Sequence, residues 1–120
     1  MNFTETTPIY VQIVDYICEQ IVLQKWKPES RIPSVREMGV TLEVNPNTVL
    51  RSYDYLQTNQ IVMNKRGIGY FVTPDAVERV LALRKERFFQ KEIPHLAKTM
   101  KLLNISTEEL IIAINNNKLS

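Results

Sequence analysis

Apolar residues near the start of the chain recur at helical spacing. Tyr10, Ile13, Val14, Ile17 and Ile21 share one face of a helix that Pro8 opens and that ends near Lys25. Val11, Cys18 and Val22 form a second apolar stripe beside it, more than a one-sided surface helix needs. "KPES" (27–30) reads as a turn. In "PSVREMGVTLE" (33–43), Val35, Met38, Gly39 and Leu42 fall at i, i+3, i+4 and i+7, which predicts a second helix with one buried face. Ser34 and Glu37 stand at capping-box spacing at its start. Glycine inside a helix costs about 1 kcal/mol against alanine, so a close helix–helix approach is expected at Gly39. A third helix over 46–58 buries Val49, Ser52, Tyr53 and Leu56. Asn45 is suited to cap it, with Pro46 at the first helical position. Pro46 also disfavours helical geometry at Asn45, so "VNP" is a sharp corner between two short helices.

The period then changes. "IVMNKRGIGYFV" (61–72) contains two β-prone runs, Ile61–Asn64 and Tyr70–Val72, around a turn with Gly67 and Gly69. That is a hairpin with Lys65 and Arg66 at its tip. Thr73-Pro74 caps a helix expected to reach about Glu92, with Val77, Val80, Leu81, Arg84 and Phe88 on one stripe. Pro94 is expected to break or kink it. A further helix carries Leu96, Met100 and Leu103, and Ser106 with Glu109 forms a second capping box before "LIIAI" (110–114).

The pattern predicts a mostly α fold with a small β-hairpin. A winged helix-turn-helix domain covers residues 1–73, and a short α-helical dimerisation segment covers 74–120. The tail has more apolar surface than so short a segment can bury on itself, which points to a two-fold homodimer. Val11, Cys18 and Val22 of the first helix are expected to assist it.

Composition narrows the function classes. With 120 residues, 44% apolar and 23% charged, the chain suits one compact domain, or a small domain with an accessory segment. No apolar run approaches the roughly 18 residues needed to span a bilayer, and the start lacks a basic-then-apolar leader, so no membrane partner is expected. Cys18 is the only cysteine, which excludes an intramolecular disulfide and fits a reducing cytoplasm. His95 is the only histidine. Neither can build a metal site within one chain, and no nucleophile–base pair is visible. No cofactor and no enzymatic activity are expected. Net charge is only +2, but residues 31–73 place Arg31, Arg36, Arg51, Lys65 and Arg66 against Glu37, Glu43 and Asp54. Imbalances this small are usually solvated faces, so position has to decide.

Projected at helical pitch, the third helix turns Asn47 and Arg51 away from its core stripe, with Thr48 and Tyr55 alongside. Asn suits adenine and Arg suits guanine in the major groove, while Thr and basic side chains hold phosphate. Leu50, on the other flank, can meet a thymine methyl. Taken singly, Asn47 and Thr48 are more simply helix-start residues, and Arg51 can pair with Asp54 in solvent. Together with Arg36 in the first turn of the second helix and Lys65-Arg66 on the hairpin, the DNA reading is the stronger. The alternative is a winged-helix protein-interaction module without DNA binding.

"RIPSVREM…VNPNTVLRSYDYL…KRGIGYFV", preceded by "PIYVQI", resembles the DNA-binding domain of the GntR family of bacterial transcription regulators. The "VNPNTV" corner and the short tail resemble its YtrA subfamily. The resemblance covers about residues 8–73. It implies that Ser34 and Arg36 touch DNA backbone and bases, that Asn47, Thr48 and Arg51 read the major groove, and that Gly67 with Lys65 and Arg66 approaches the minor groove. It further implies double-stranded DNA as partner, a repressor acting as a dimer, and ABC-transporter genes as common targets. The larger effector domain of other relatives does not fit in the tail, so any small-molecule effector is unknown. The chain departs from the pattern at Glu29, where glycine is common, at Gly39, where alanine is common, and at "NQIV" (59–62), which replaces an acidic-Gly pair. Pro46 and Leu50 stand where relatives often have a basic residue.

Overall fold

The computed structural model describes residue 3 and residues 6–117. Six α-helices and one hairpin follow in order: α1 (Ile9–Val22), α2 (Val35–Leu42), α3 (Pro46–Thr58), β1 (Val62–Lys65), β2 (Gly69–Val72), α4 (Ala76–Arg87), α5 (Ile93–Leu103) and α6 (Thr107–Asn116). The chain forms two compact units, 1–83 and 84–120.

The first unit surrounds one core. Ile13, Ile17 and Ile21 of α1 meet Met38 of α2, Val49, Tyr53 and Leu56 of α3, and Val62 and Val72 of the hairpin. α1 closes at Val22 because Gln24 turns left-handed (φ 58°), and the N–H groups of Lys25 and Trp26 both reach back to the Gln20 carbonyl. Cys18, expected to face a partner, is fully buried in this core instead. Val11 and Val22 of the same stripe are half-buried, and α1 packs chiefly on α3. The unit continues past Thr73, with Ala76 and Val80 of α4 buried in the same core. Thr73 does not cap α4 with its side chain. Its hydroxyl donates towards the Gln60 and Ile61 carbonyls (2.8 and 3.0 Å), tying the end of β2 to the turn between α3 and β1.

β1 and β2 pair antiparallel with Met63 opposite Phe71 and Lys65 opposite Gly69. An isolated bridge joins them just after the turn expected at 27–30. Arg31 bridges Phe71, the Ile32 N–H donates to the Tyr70 carbonyl (3.0 Å) and the Val72 N–H to the Ser30 carbonyl (2.9 Å). Glu29 and Gln60 adopt left-handed φ of 67° and 59°. These are the positions where glycine is usual in the family resembled, and glycine takes that geometry without steric cost.

Tyr53 ties α3 to both neighbours. Its ring meets Tyr70 of β2 edge-on at 4.8 Å, and its hydroxyl donates to the Pro33 carbonyl (2.6 Å), one residue before the α2 cap. Tyr53→Phe leaves that carbonyl without its donor and should lower the unfolding free energy by about 1–2 kcal/mol. A urea midpoint that did not move would show that water replaces the bond freely. Burial raises the Tyr53 phenol pKa, so its contribution is complete below the ordinary phenol value, about 10, and is lost as pH climbs above it.

In the second unit the helix does not break before Pro94. Residues Phe88–Glu92 form a wider π turn, in which the Ile93 N–H bonds to the Phe88 carbonyl five residues back. Pro94 has no N–H for an α-helical bond, and the wider turn passes that gap without ending the helix. α5 ends at Asn104 in the left-handed region (φ 57°), and the Ser106–Glu109 capping box opens α6 as expected.

Candidate nucleic-acid interface

The corner between α2 and α3 is built from its own sequence. Ser34 Oγ accepts from the Glu37 N–H (3.0 Å), and the Glu37 carboxylate accepts from the Ser34 N–H (3.1 Å). The Ser34 backbone N–H most, then the Ser34 hydroxyl, act on the Glu37 carboxylate and hold its pKa below the usual carboxylate range, with Arg31 a smaller contributor. α2 ends at Glu43 in the left-handed region (φ 56°), and the Val44 N–H returns to the Gly39 carbonyl (2.9 Å). A Cβ on Gly39 would lie 2.9 Å from the Val44 carbonyl oxygen and 3.6 Å from Pro46 Cγ. The close approach at Gly39 is therefore to the backbone of the corner and the first residue of α3. Asn45 Oδ1 then accepts from the Asn47 N–H (2.8 Å), and Pro46 occupies the first turn of α3, where its missing N–H costs nothing.

Fixing the start of α3 fixes which side chains it displays. Asn47, Leu50, Arg51 and Tyr55 are exposed, and Thr48 is half-buried. Ser52 is turned inward, its hydroxyl donating to the Tyr10 carbonyl of α1 (2.8 Å). Arg51 is not simply displayed. Its guanidinium lies over the Tyr10 ring, 3.9 Å from the centroid, an arrangement that no pattern within α3 signals. Arg36 stands exposed in the first turn of α2 and has no hydrogen bond or ion pair among the described residues.

The hairpin tip separates the two basic residues assigned to it. Arg66 lies exposed in the turn, whereas Lys65 ends β1 and folds back with its Nζ 4.3 Å from the Phe71 ring centroid. Gly67 has φ +80° and open space where a Cβ would be, so its backbone conformation, not crowding, calls for glycine. Gly69 is crowded: a Cβ there would lie 2.9 Å from Arg31 Nε. Arg31 was only a charge in the sequence, because its pairing with Phe71 spans too many residues for local spacing to reveal.

Residues 31–34 connect these parts. Arg31 and Ile32 pair with β2, Pro33 holds Tyr53 of α3, and Ser34 caps α2. The start of α2, the middle of α3 and the hairpin are thus tied through one short segment. Among the described residues no group of three or more His, Cys, Asp and Glu is placed to hold a metal ion, and no helix is long and apolar enough to cross a membrane.

This arrangement has known counterparts. Residues 9–72 match the model of the gntR family of bacterial regulatory proteins. The chain is 34% identical over 113 residues to the HTH-type transcriptional regulator YhcF of Bacillus subtilis (strain 168), covering 94% of this chain and 92% of YhcF. It is 35% identical over 89 residues to the HTH-type transcriptional repressor YtrA of the same organism, covering 71% of this chain and 68% of YtrA. A solved GntR family transcriptional regulator from Listeria monocytogenes superposes with a TM-score of 0.79 at 32% identity, covering 97% of this chain and all of that one. A winged helix-turn-helix with this corner, a family model matched over residues 9–72 and relatives matched over two thirds or more of their length lead to one conclusion: the chain belongs to the gntR family of bacterial regulatory proteins, in its YtrA-like subfamily, and is a DNA-binding transcription regulator rather than an enzyme.

Proposed function

We propose that the protein is a transcription repressor that acts in the cytoplasm as a homodimer on a palindromic operator. The observation that supports the DNA contacts is the tie through Pro33, which joins the start of α2 to the middle of α3, where Tyr53 also meets Tyr70 of the hairpin. In this reading Arg36, Asn47 and Arg51 read base edges, with Leu50 at a thymine methyl. Ser34, Thr48 and Tyr55 hold backbone, and Lys65, Arg66 and Gly67 approach it from the wing. YtrA is a repressor, which supports the sign of regulation. The resemblance to its subfamily makes ABC-transporter genes the natural targets. The domain reading is a DNA-binding part at 1–73 with a dimerising tail, and the buried Ala76 and Val80 favour setting the functional boundary after Leu83. Dimerisation rests on the tail, where no described residue from Arg84 onward is buried.

Selection from a random duplex pool, followed by binding to the selected site across a salt series, tests the whole reading. A palindromic consensus and a steep loss of affinity with salt are expected. Absence of duplex binding would transfer the assignment to a protein-interaction module. The wing has its own test. Replacing Lys65 and Arg66 together by Ala should weaken selected and random duplex alike and flatten the salt slope by about two units. If only the selected site lost affinity, the wing would be reading bases.

A further inference from the structure

The bridge at Arg31 adds a residue to the outer face of the wing. Side chains alternate across a sheet, so Met63, Lys65, Gly69 and Phe71 share one side with Arg31, while Val62, Val72 and Ile32 turn to the core. Arg31 runs across this outer face against the bare backbone of Gly69. A Cβ there would lie 2.9 Å from Nε and 3.4 Å from both Cζ and Nη2, so the planar guanidinium occupies the space that any side chain at 69 would fill. Lys65 Nζ lies over Phe71 on the same face. The acidic group that acts on Arg31 is Glu37, but that carboxylate is already bonded to the Ser34 N–H, and Arg31 is the least of the influences upon it. Arg31 makes no ion pair among the described residues. An exposed guanidinium seated against Gly69, on the same face as a second cation and without an ion pair among the described residues, is arranged to present its N–H donors to an anion.

From this we infer that Arg31, seated on Gly69, is a phosphate-binding residue that takes a phosphodiester of the duplex backbone. The inference rests on the DNA reading above and extends it to a side chain outside the helix-turn-helix and the hairpin tip. The fork of a guanidinium matches two phosphate oxygens, whereas a lysine at 31 would be a point charge that Gly69 does not orient. Position 69 is then a glycine for two reasons: its φ of +145° and the space it leaves for Arg31.

The test uses the full chain, the selected operator and a random-sequence duplex, each measured across a salt series. Arg31→Gln should lower both affinities by the same factor and flatten both salt slopes by about one unit. Arg31→Lys should keep the slope and recover only part of the affinity. Gly69→Ala should reproduce much of the Arg31→Gln loss, and the double variant should lose little more than either single one, because both changes remove the same contact. Unchanged slope and affinity in Arg31→Gln would make Arg31 a cover for the wing and overturn the inference. A loss confined to the operator would make it a base reader and overturn it equally. If the unsubstituted chain bound neither duplex, the DNA reading itself would fall, a result distinct from both.

Discussion

Truncation after Leu83 should turn a dimer into a monomer and lower operator affinity by about 10²- to 10⁴-fold, the range by which linked half-sites exceed single ones. The physical basis is an apolar surface with nothing beneath it. Leu102 is 82% exposed, Phe89 64% and Ile112 60%, and Phe88, Leu103, Ile111 and Ile114 are exposed as well. A helical segment with this composition and no buried residue of its own cannot repay the entropy of ordering unless another surface covers it. A second copy supplies one by two-fold symmetry, and the two recognition helices then meet half-sites about one turn, ~34 Å, apart. The position of the cut matters. Ending the chain at Thr73 also removes Ala76 and Val80 from the first core, so lost binding there would mix unfolding with lost dimerisation. Cutting after Leu83 leaves that core whole. Sedimentation, a melting curve and affinity for the operator and for a half-site separate the effects. A truncated chain that stayed dimeric, or that bound the operator as tightly as before, would remove the tail from the dimer.

Arg36→Ala should lower operator affinity by roughly 5- to 150-fold, the equivalent of one bidentate Arg–guanine pair, and change random-duplex affinity much less. Spacing alone would give Arg51→Ala the same roughly 5- to 150-fold loss. The structure separates the two residues. Arg36 has no partner to leave, whereas Arg51 is stacked on Tyr10, a contact worth about 0.5–1 kcal/mol at an exposed site. Arg51 can read a base only from that ring or by giving it up. Its loss should therefore be the smaller, and Tyr10→Ala, which removes the platform, should reproduce part of it. Both duplexes are measured at one fixed salt concentration. Equal losses on operator and random duplex would make either arginine a phosphate clamp, and the sequence reading would pass to Asn47 and Leu50.

The features legible in the sequence are those whose partners lie a few residues apart. The Ser34–Glu37 and Ser106–Glu109 boxes, the Asn45 cap with Pro46 after it and the buried stripe Val49, Ser52, Tyr53 and Leu56 all appear as read. Each is a bond or a periodicity confined to one or two turns, so residue type and spacing suffice. The hairpin was legible for the same reason, although Lys65 proved to end a strand and fold back rather than project from the tip. Pro94 was recognised as an obstacle to α-helical bonding, but a widened turn answered it instead of a break.

What only the tertiary structure decided is what each face meets. A period of 3.6 shows that α1 has two apolar stripes, yet not that Cys18 of the second is fully buried in the same core. Spacing turns Arg51 outward and is silent on the Tyr10 ring beside it. It cannot show that Tyr53 reaches Pro33, that Thr73 bonds the turn between α3 and β1, or that Arg31 lies on Gly69. These contacts join segments far apart in the chain, and they exist because the hydrophobic core brings the segments together. Local chemistry set where each element starts and stops. Burial of the shared core set which residues of different elements lie against one another.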